Sequence, residues 1–160
     1  MNKRKVYLET SVVSYLTARP SKNVIEAGHQ QSTYLFWDRR SEFELFASEL
    51  VLTECAAGDS EAASRRLKAL QGIHLLEITA FCVELAKELV ATSIVPVKAS
   101  EDALHISIAT VHFADYLLTW NCKHIANPEI QFRIAELFRH KGLFLPFICT
   151  PEELTGAEND

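Results

Sequence analysis

The sequence predicts an α/β fold in which a mostly parallel β-sheet carries helices on both faces. Short apolar runs typical of buried strands alternate with longer segments of helical periodicity along nearly the whole chain. The 160 residues suit one domain, because a chain of this length buries most of the surface that its unfolded form exposes. No repeat or linker divides the sequence, so we predict a single domain over residues 1–154 and a frayed tail over residues 155–160.

Five segments have the composition of buried strands. In chain order they are KVYLE, FELFAS, IHLLEI, DYLLTW and FLPFIC. The last contains Pro146, whose nitrogen cannot donate to a strand ladder, so we predict this segment at an edge of the sheet.

Seven segments have helical periodicity. They are TSVVSYLTARP, NVIEAGHQQSTYLFWDRR, SELVLTECAAGD, SEAASRRLKAL, TAFCVELAKELVATS, KASEDALHISIATVHFA and PEIQFRIAELFRHKG. Gly28 interrupts the apolar stripe of the second segment, while Gly58 and Gly142 are predicted to end the third and the seventh. Hydroxyl residues at the segment starts are predicted N-caps, namely Thr10 or Ser11, Ser48, Ser60, Thr79 and Ser100.

Composition excludes some classes of protein. The apolar runs fall well short of the roughly 20 residues that span a bilayer, and no secretory signal is predicted, so we expect a cytoplasmic protein without membrane contact. The net charge of −5 argues against binding nucleic acid through overall positive charge, but it is compatible with a nuclease that holds a metal in an acidic cluster. Four widely spaced cysteines form no CxxC pair and are predicted to be mostly free thiols.

Four polar residues interrupt otherwise apolar segments: Glu9, Glu54, Asp102 and Asn121. Glu9 and Asn121 follow predicted strands, and the carboxyl ends of parallel strands share the edge where such sheets bind ligands. A buried carboxylate is costly unless it is paired or holds a metal. Oxygen ligands without clustered histidine or cysteine suit Mg²⁺ or Mn²⁺, so the pattern predicts a site for a hard cation.

Each of these residues alone also has a structural interpretation. Glu9 is compatible with a partly exposed strand end, Glu54 with a surface position, and Asp102 with a charge that favours a helix N-terminus. Glu101 competes with Asp102 for the role in the site, because the spacing does not choose between two adjacent acids. Taken together, the four positions favour a metal site over four unrelated structural roles.

Four stretches of the chain resemble a known family. They are VYLETSVVSYL, SELVLTECAAGD, EDALHISIATVHFADYLLTWNCKHI and PFICTPEEL. In this order and spacing they resemble the PIN-domain family, in particular the VapC-like toxins of type II toxin–antitoxin systems, over nearly the whole chain. The resemblance implies a three-layer α/β/α sandwich and a Mg²⁺- or Mn²⁺-dependent endoribonuclease that hydrolyses RNA phosphodiester bonds with metal-activated water.

The resemblance also assigns the site residues. Glu9 matches the first acid and Glu54 the second, and Asp102 rather than Glu101 matches the third; these three are the implied metal ligands. Asn121 occupies the fourth position. The chain departs from the family at Glu9, where aspartate is usual, and at Asn121, where aspartate is frequent, so a catalytically weak or inactive binding module is the alternative function.

Supporting residues and partners complete the expectation. By the resemblance, Thr10, Ser11 and Thr119 are hydroxyls that bind metal-bound water. His105 is predicted to be a hydrogen-bonded histidine rather than a ligand, and Lys123 lies in a loop that borders the site. The implied partners are an RNA substrate, a cognate antitoxin and a second copy of the chain in a homodimer. From the residues alone, the basic cluster at 65–68 is interpreted as a solvated helix face, and Trp120 is as compatible with base stacking as with core packing.

Overall fold

The computed structural model describes residues 2–156, and it has a central sheet flanked by helices. The strands are β1 (Lys5–Leu8), β2 (Glu44–Ser48), β3 (His74–Leu76), β4 (Tyr116–Leu118) and β5 (Phe147–Cys149). The helices are α1 (Thr10–Thr17), α2 (Val24–Asp38), α3 (Glu49–Cys55), α4 (Ser60–Ala69), α5 (Ala80–Ala91), α6 (Ser100–Val111), α7 (Pro128–His140) and α8 (Pro151–Thr155). Two single 3₁₀ turns span Arg40–Glu42 and Val97–Ala99.

The five strands form one sheet in the order β3-β2-β1-β4-β5, and every neighbouring pair is parallel. Strand β1 lies at the centre, where Tyr7 is in register with Phe46 on one side and Leu117 on the other. Strand β5 is at an edge, as Pro146 predicts. The parallel order places the carboxyl ends of β1 and β4 side by side.

Two apolar clusters fill the two faces of the sheet. The larger one packs Tyr7 of β1 against Leu85 of α5, Ile106 of α6 and residues of α7. The smaller one lies on the opposite face of the sheet, where Val6 and Leu8 pack in one cluster with Phe36 of α2 and Trp120. Successive residues of β1 therefore enter opposite layers, which confirms the predicted α/β/α sandwich.

Trp120 belongs to the smaller core cluster. Its side chain is buried, its indole nitrogen donates to Thr33 Oγ1 at 2.9 Å, and the His29 ring stacks on it with centroids 4.0 Å apart. Tyr15 meets the same indole edge-on at 5.8 Å. Of the two roles compatible with the sequence, the structure supports core packing.

The predicted helix starts were partly wrong. Ser48 and Thr79 are N-caps as predicted, whereas the predicted caps at Thr10 or Ser11, at Ser60 and at Ser100 are not. The N-caps of α1 and α4 are instead the carboxylates one position earlier, Glu9 and Asp59, which accept backbone N–H groups of the first turn. Helix α6 starts after Ala99 without a side-chain cap.

Two other features of the helices add to the sequence analysis. Helix α2 continues through Gly28, although this residue interrupts its apolar stripe. Helix α8 was not predicted; it begins with a capping box between Thr150 and Glu153 and includes the buried Thr155, one residue into the segment predicted as a tail. Residues 157–160 of that tail lie outside the described residues. None of the described helices is long and apolar enough to cross a membrane.

Substitutions in α7 measure how much its packing stabilises the fold. Ile134 is 0% exposed and Phe132 on the same helix is 69% exposed. We expect Ile134→Ala to lower the free energy of unfolding by about 2–5 kcal/mol, because it removes buried methyl groups and leaves a cavity. Phe132→Ala, the matched control, is expected to change it by less than about 0.5 kcal/mol. Denaturant unfolding of the two variants measures the difference, and equal effects would contradict the observed packing.

Candidate functional site

The site begins where β1 and β4 end. Glu9 follows β1, and its backbone N–H donates to the carbonyl of Leu118, the last residue of β4, at 3.0 Å. Thr119 follows β4 directly and donates its hydroxyl proton to Glu9 Oε1 at 2.5 Å. The parallel pairing thus brings two residues that are far apart in sequence into contact at the carboxyl edge of the sheet.

Glu9 is buried, with 6% of its surface exposed, and the start of α1 folds around its carboxylate. Ser11 donates its hydroxyl to Glu9 Oε1 at 2.5 Å and its backbone N–H to Oε2 at 3.1 Å. The same Ser11 hydroxyl accepts the N–H of Trp120 at 2.8 Å, and the Thr119 hydroxyl accepts the N–H of Asn121 at 2.9 Å. Each hydroxyl therefore accepts a hydrogen bond from a backbone amide and donates one to the carboxylate, and the amide strengthens the hydroxyl as a donor.

Glu54 approaches the same edge from α3. Its Oε1 atom accepts a hydrogen bond from Thr10 Oγ1 at 2.6 Å and lies 2.6 Å from His105 Nε2. Partial burial raises the pKa of Glu54, but the hydrogen bond to His105, the charge of that ring whenever it is protonated, and the Thr10 hydroxyl outweigh burial and place the pKa below its usual value. Glu54 is therefore held in its ionised form.

Asp102 and Asn121 form a second pair beside Glu9. Asn121 Oδ1 accepts the backbone N–H of His124 at 3.0 Å, so its carbonyl oxygen supports the loop after β4 and its amide is left to hydrogen-bond Asp102. Burial raises the pKa of Asp102, the hydrogen bond from Asn121 opposes this shift, and the charge of Glu9 adds to it. The carbonyl oxygen of Asn121 is thus engaged by the backbone.

Glu101, the alternative to Asp102, takes a different position. Its side chain is exposed and hydrogen-bonds Glu54. This hydrogen bond, and next the negative charge of Glu54, raise the pKa of Glu101. Glu101 and Asp102 thus interact with Glu54 and Glu9, respectively, from the same first turn of α6.

The described residues contain one group that could hold a metal ion. Ligand atoms of Glu9, Glu54 and His105 lie within 4.8 Å of one another, and Asp102 is not a member of this group. The donor set fits a hard cation: two carboxylates meet in a largely buried place, and the ion pairs of residues 2–156 give neither of them a lysine or arginine partner. His105 is the exception, because both of its ring nitrogens already have hydrogen-bond partners.

The basic residues singled out in the sequence lie in a loop or connect helices. Lys123 is exposed in the loop after β4. Arg65 and Arg66 of the 65–68 cluster donate to the backbone carbonyls of Thr17 and Cys55 at 3.1 and 2.9 Å, which satisfies the ends of α1 and α3. These two arginines tie helices together rather than forming a solvated face. All four cysteines are free thiols, as predicted.

The sequence indicated no role for Tyr7 and predicted Ser48 only as a helix cap, but both lie beside the site. Both are 0% exposed, and the Tyr7 hydroxyl lies 2.9 Å from Ser48 Oγ and 2.8 Å from His105 Nδ1. A signal was present, since a tyrosine inside a buried strand needs a hydrogen-bond partner for its hydroxyl. The sequence did not indicate that this partner would be the histidine next to Glu54.

Removal of the Asp102 charge should stabilise the metal-free protein. A raised pKa means that the folded state binds a proton more tightly than the unfolded state, so ionisation of Asp102 costs stability as the pH rises above the usual aspartate range. We expect Asp102→Asn to raise the melting temperature near neutral pH in EDTA and to lose this advantage in acid, where the wild-type carboxyl is protonated. Glu84→Gln, at an exposed position of α5, is the control. Thermal scans over a pH series test this, and a lower melting temperature for Asp102→Asn at neutral pH contradicts it.

Comparison with known proteins supports the fold. No protein-family model and no curated protein matches the sequence. Among solved structures, a chain of VapBC2 from Rickettsia felis, crystallised with a DNA fragment from its promoter, superposes with a TM-score of 0.57 and 18% sequence identity over 91% of this chain and 98% of that chain. The resemblance predicted from the motifs is thereby confirmed at the level of the fold, and the chain has the PIN-like α/β/α architecture.

Proposed function

We propose that this protein is a metal-dependent endoribonuclease of the VapC type, which hydrolyses phosphodiester bonds of RNA. The observation that carries the proposal is the meeting of Glu9 and Glu54 within 4.8 Å at the carboxyl edge of a PIN-like sheet. The two carboxylates come from different elements and lack a lysine or arginine partner among the ion pairs of residues 2–156. Such an arrangement costs free energy that a bound cation would recover.

Electrostatics relates this cluster to an anionic substrate. Carboxylates at this distance repel each other and also repel a phosphodiester, so RNA approaches the site only when a cation neutralises them. We assign Glu9 and Glu54 as the residues that would hold Mg²⁺ or Mn²⁺, with Asp102 as a third carboxylate beside them. When bound, such an ion lowers the pKa of water and offsets the charge of the scissile phosphate.

The remaining residues orient these carboxylates. Thr10 holds Glu54 through one oxygen, while Ser11 and Thr119 hold Glu9. Fixing the carboxylates in this way lowers the entropy that is lost when a ligand binds. As part of the nuclease proposal, these hydroxyls would also bind metal-bound water, and Lys123 would contact the RNA backbone.

The proposal extends to partners. The similar solved structure is a VapBC2 complex, and by analogy we propose that a cognate antitoxin binds this chain in the cytoplasm and that the chain forms a homodimer. Light scattering of the purified chain tests the dimer, and co-purification with the product of a neighbouring gene tests the antitoxin.

A second function, a PIN-like module that binds without cleaving, is favoured by one observation. The Asn121 carbonyl oxygen, at the fourth position of the site, is engaged by the His124 backbone. The cluster therefore has one carboxylate fewer than a site with aspartate there. Calorimetric titration with Mn²⁺ separates the two functions, because a module without a metal site shows neither heat of binding nor thermal stabilisation.

Loss of the Glu54 charge should abolish the nuclease. We expect the wild-type protein to cleave RNA with Mn²⁺ or Mg²⁺ and to stop in EDTA. Glu54→Gln should cut the rate by more than about 100-fold, since even partners that only support metal ligands contribute about 10–100-fold. Gel analysis of a labelled RNA pool measures the rate.

The matched control is Glu49→Gln, which removes an exposed carboxylate from the first turn of the same helix, α3. It should keep wild-type activity. Cleavage that survives EDTA and the Glu54 substitution would come from a contaminating nuclease or another site, and would falsify the proposal.

A further inference from the structure

A chain of buried hydrogen bonds runs behind the carboxylates. It starts at Ser48 Oγ, which lies 3.4 Å from the backbone nitrogen of Val51 in the first turn of α3. It continues through the Tyr7 hydroxyl, 2.9 Å from Ser48 Oγ and 2.8 Å from His105 Nδ1. It ends where His105 Nε2 meets Glu54 Oε1 at 2.6 Å. These hydrogen bonds thus connect the start of α3 to the end of the same helix through side chains of β1 and α6.

The protons of this chain can be ordered in two ways. In the first, Ser48 donates to Tyr7, Tyr7 donates to Nδ1, and the proton on Nε2 is donated to Glu54. In the second, Nδ1 donates to Tyr7 and Tyr7 donates to Ser48, while Nε2 carries a lone pair if the ring is neutral and a second proton if it is charged. Tyr7 decides between them, because its hydroxyl has a single proton to donate.

Three facts select the first order. The Val51 N–H can only donate, so Ser48 must accept it and is left with its own proton for Tyr7. A bare Nε2 lone pair at 2.6 Å from an ionised carboxylate is repulsive, whereas an N–H at that distance is a strong charge-assisted bond. In the second order the Ser48 proton would also lack an acceptor among its described contacts in residues 2–156.

We propose that Tyr7 is a positioning residue that keeps the His105 proton on Nε2, so that His105 holds the Glu54 carboxylate as a donor and does not bind the metal itself. This inference rests on the proposed function only for its effect on metal affinity. It removes His105 from the group of three ligand candidates and leaves two carboxylates, Glu9 and Glu54, as the core of the metal site.

Two measurements test the inference. The first is ¹⁵N NMR of the histidine rings in the metal-free protein, where His105 is expected to show a protonated Nε2 and an unprotonated, hydrogen-bonded Nδ1. The second is Mn²⁺ titration of Tyr7→Phe, which keeps the ring but removes the hydroxyl. We expect the dissociation constant for Mn²⁺ to rise about 10-fold and the Nδ1 resonance to shift, because Nδ1 loses its donor.

The matched control is Tyr116→Phe on the neighbouring strand, whose partly exposed ring contacts Phe147 at the amino ends of β4 and β5. It should leave both readings unchanged. A wild-type His105 with its proton on Nδ1 overturns the inference, and so does a Tyr7→Phe variant that binds Mn²⁺ as tightly as the wild type. A wild-type protein that binds no Mn²⁺ overturns the proposed metal site instead, while the ring spectrum still decides the proton order, even if Tyr7→Phe fails to fold.

Discussion

A 2.6 Å hydrogen bond between His105 Nε2 and Glu54 Oε1 joins α6 to α3 at the carboxyl edge of the sheet. His105 is fully buried and has no freedom to turn away, since its other nitrogen contacts Tyr7 of the central strand. Glu54 is consequently fixed relative to β1 by one side chain that spans both elements. The position of Glu9, which follows β1 directly, is fixed by the same strand. The relative placement of the two carboxylates therefore depends on this hydrogen bond.

The structure supports one buried carboxylate, Glu9, and one partly buried carboxylate, Glu54, mainly with neutral groups. Thr10, Ser11 and Thr119 donate hydrogen bonds to them. The hydroxyls of Ser11 and Thr119 in turn accept hydrogen bonds from the backbone amides of Trp120 and Asn121. Dipoles stabilise a charge less than a full countercharge does, and the raised pKa of Asp102, due to burial and then to Glu9, is a sign of the remaining repulsion. A fold that kept lysine or arginine here would be more stable without ligand and would bind a cation less well. Incomplete neutralisation is thus what the proposed function requires.

The fold was more predictable than the site. Strands KVYLE and DYLLTW are apolar on both faces, which is characteristic of strands buried between two helical layers. The parallel sheet followed from the alternation of such strands with helical segments. Glu9 and Glu54 were identifiable because each interrupts such an apolar segment. The caps at Glu9 and Asp59 were not, since any polar residue near a helix start is a candidate and only the backbone path selects one. The orientation of the Asn121 amide depends on a loop turn, and the Tyr7 to His105 contact on a tertiary approach of residues 98 positions apart, neither of which leaves a pattern in the sequence.

The glutamate at position 9 has a physical explanation in the first turn of α1. Its carboxylate bends back to accept the N–H of Ser11, two residues later, and so caps the helix that starts at Thr10. A helix N-terminus favours negative charge. The cap therefore helps to keep Glu9 buried, although the ion pairs of the described residues, 2–156, give it no cationic partner. The Thr119 hydroxyl binds Oε1 from the neighbouring strand end, and within residues 2–156 Oε2 accepts only the longer 3.1 Å bond from the Ser11 backbone. The extra methylene of glutamate lets one carboxylate serve as helix cap and strand-end contact at once, and Oε2 remains the less engaged oxygen and the one better suited to a cation.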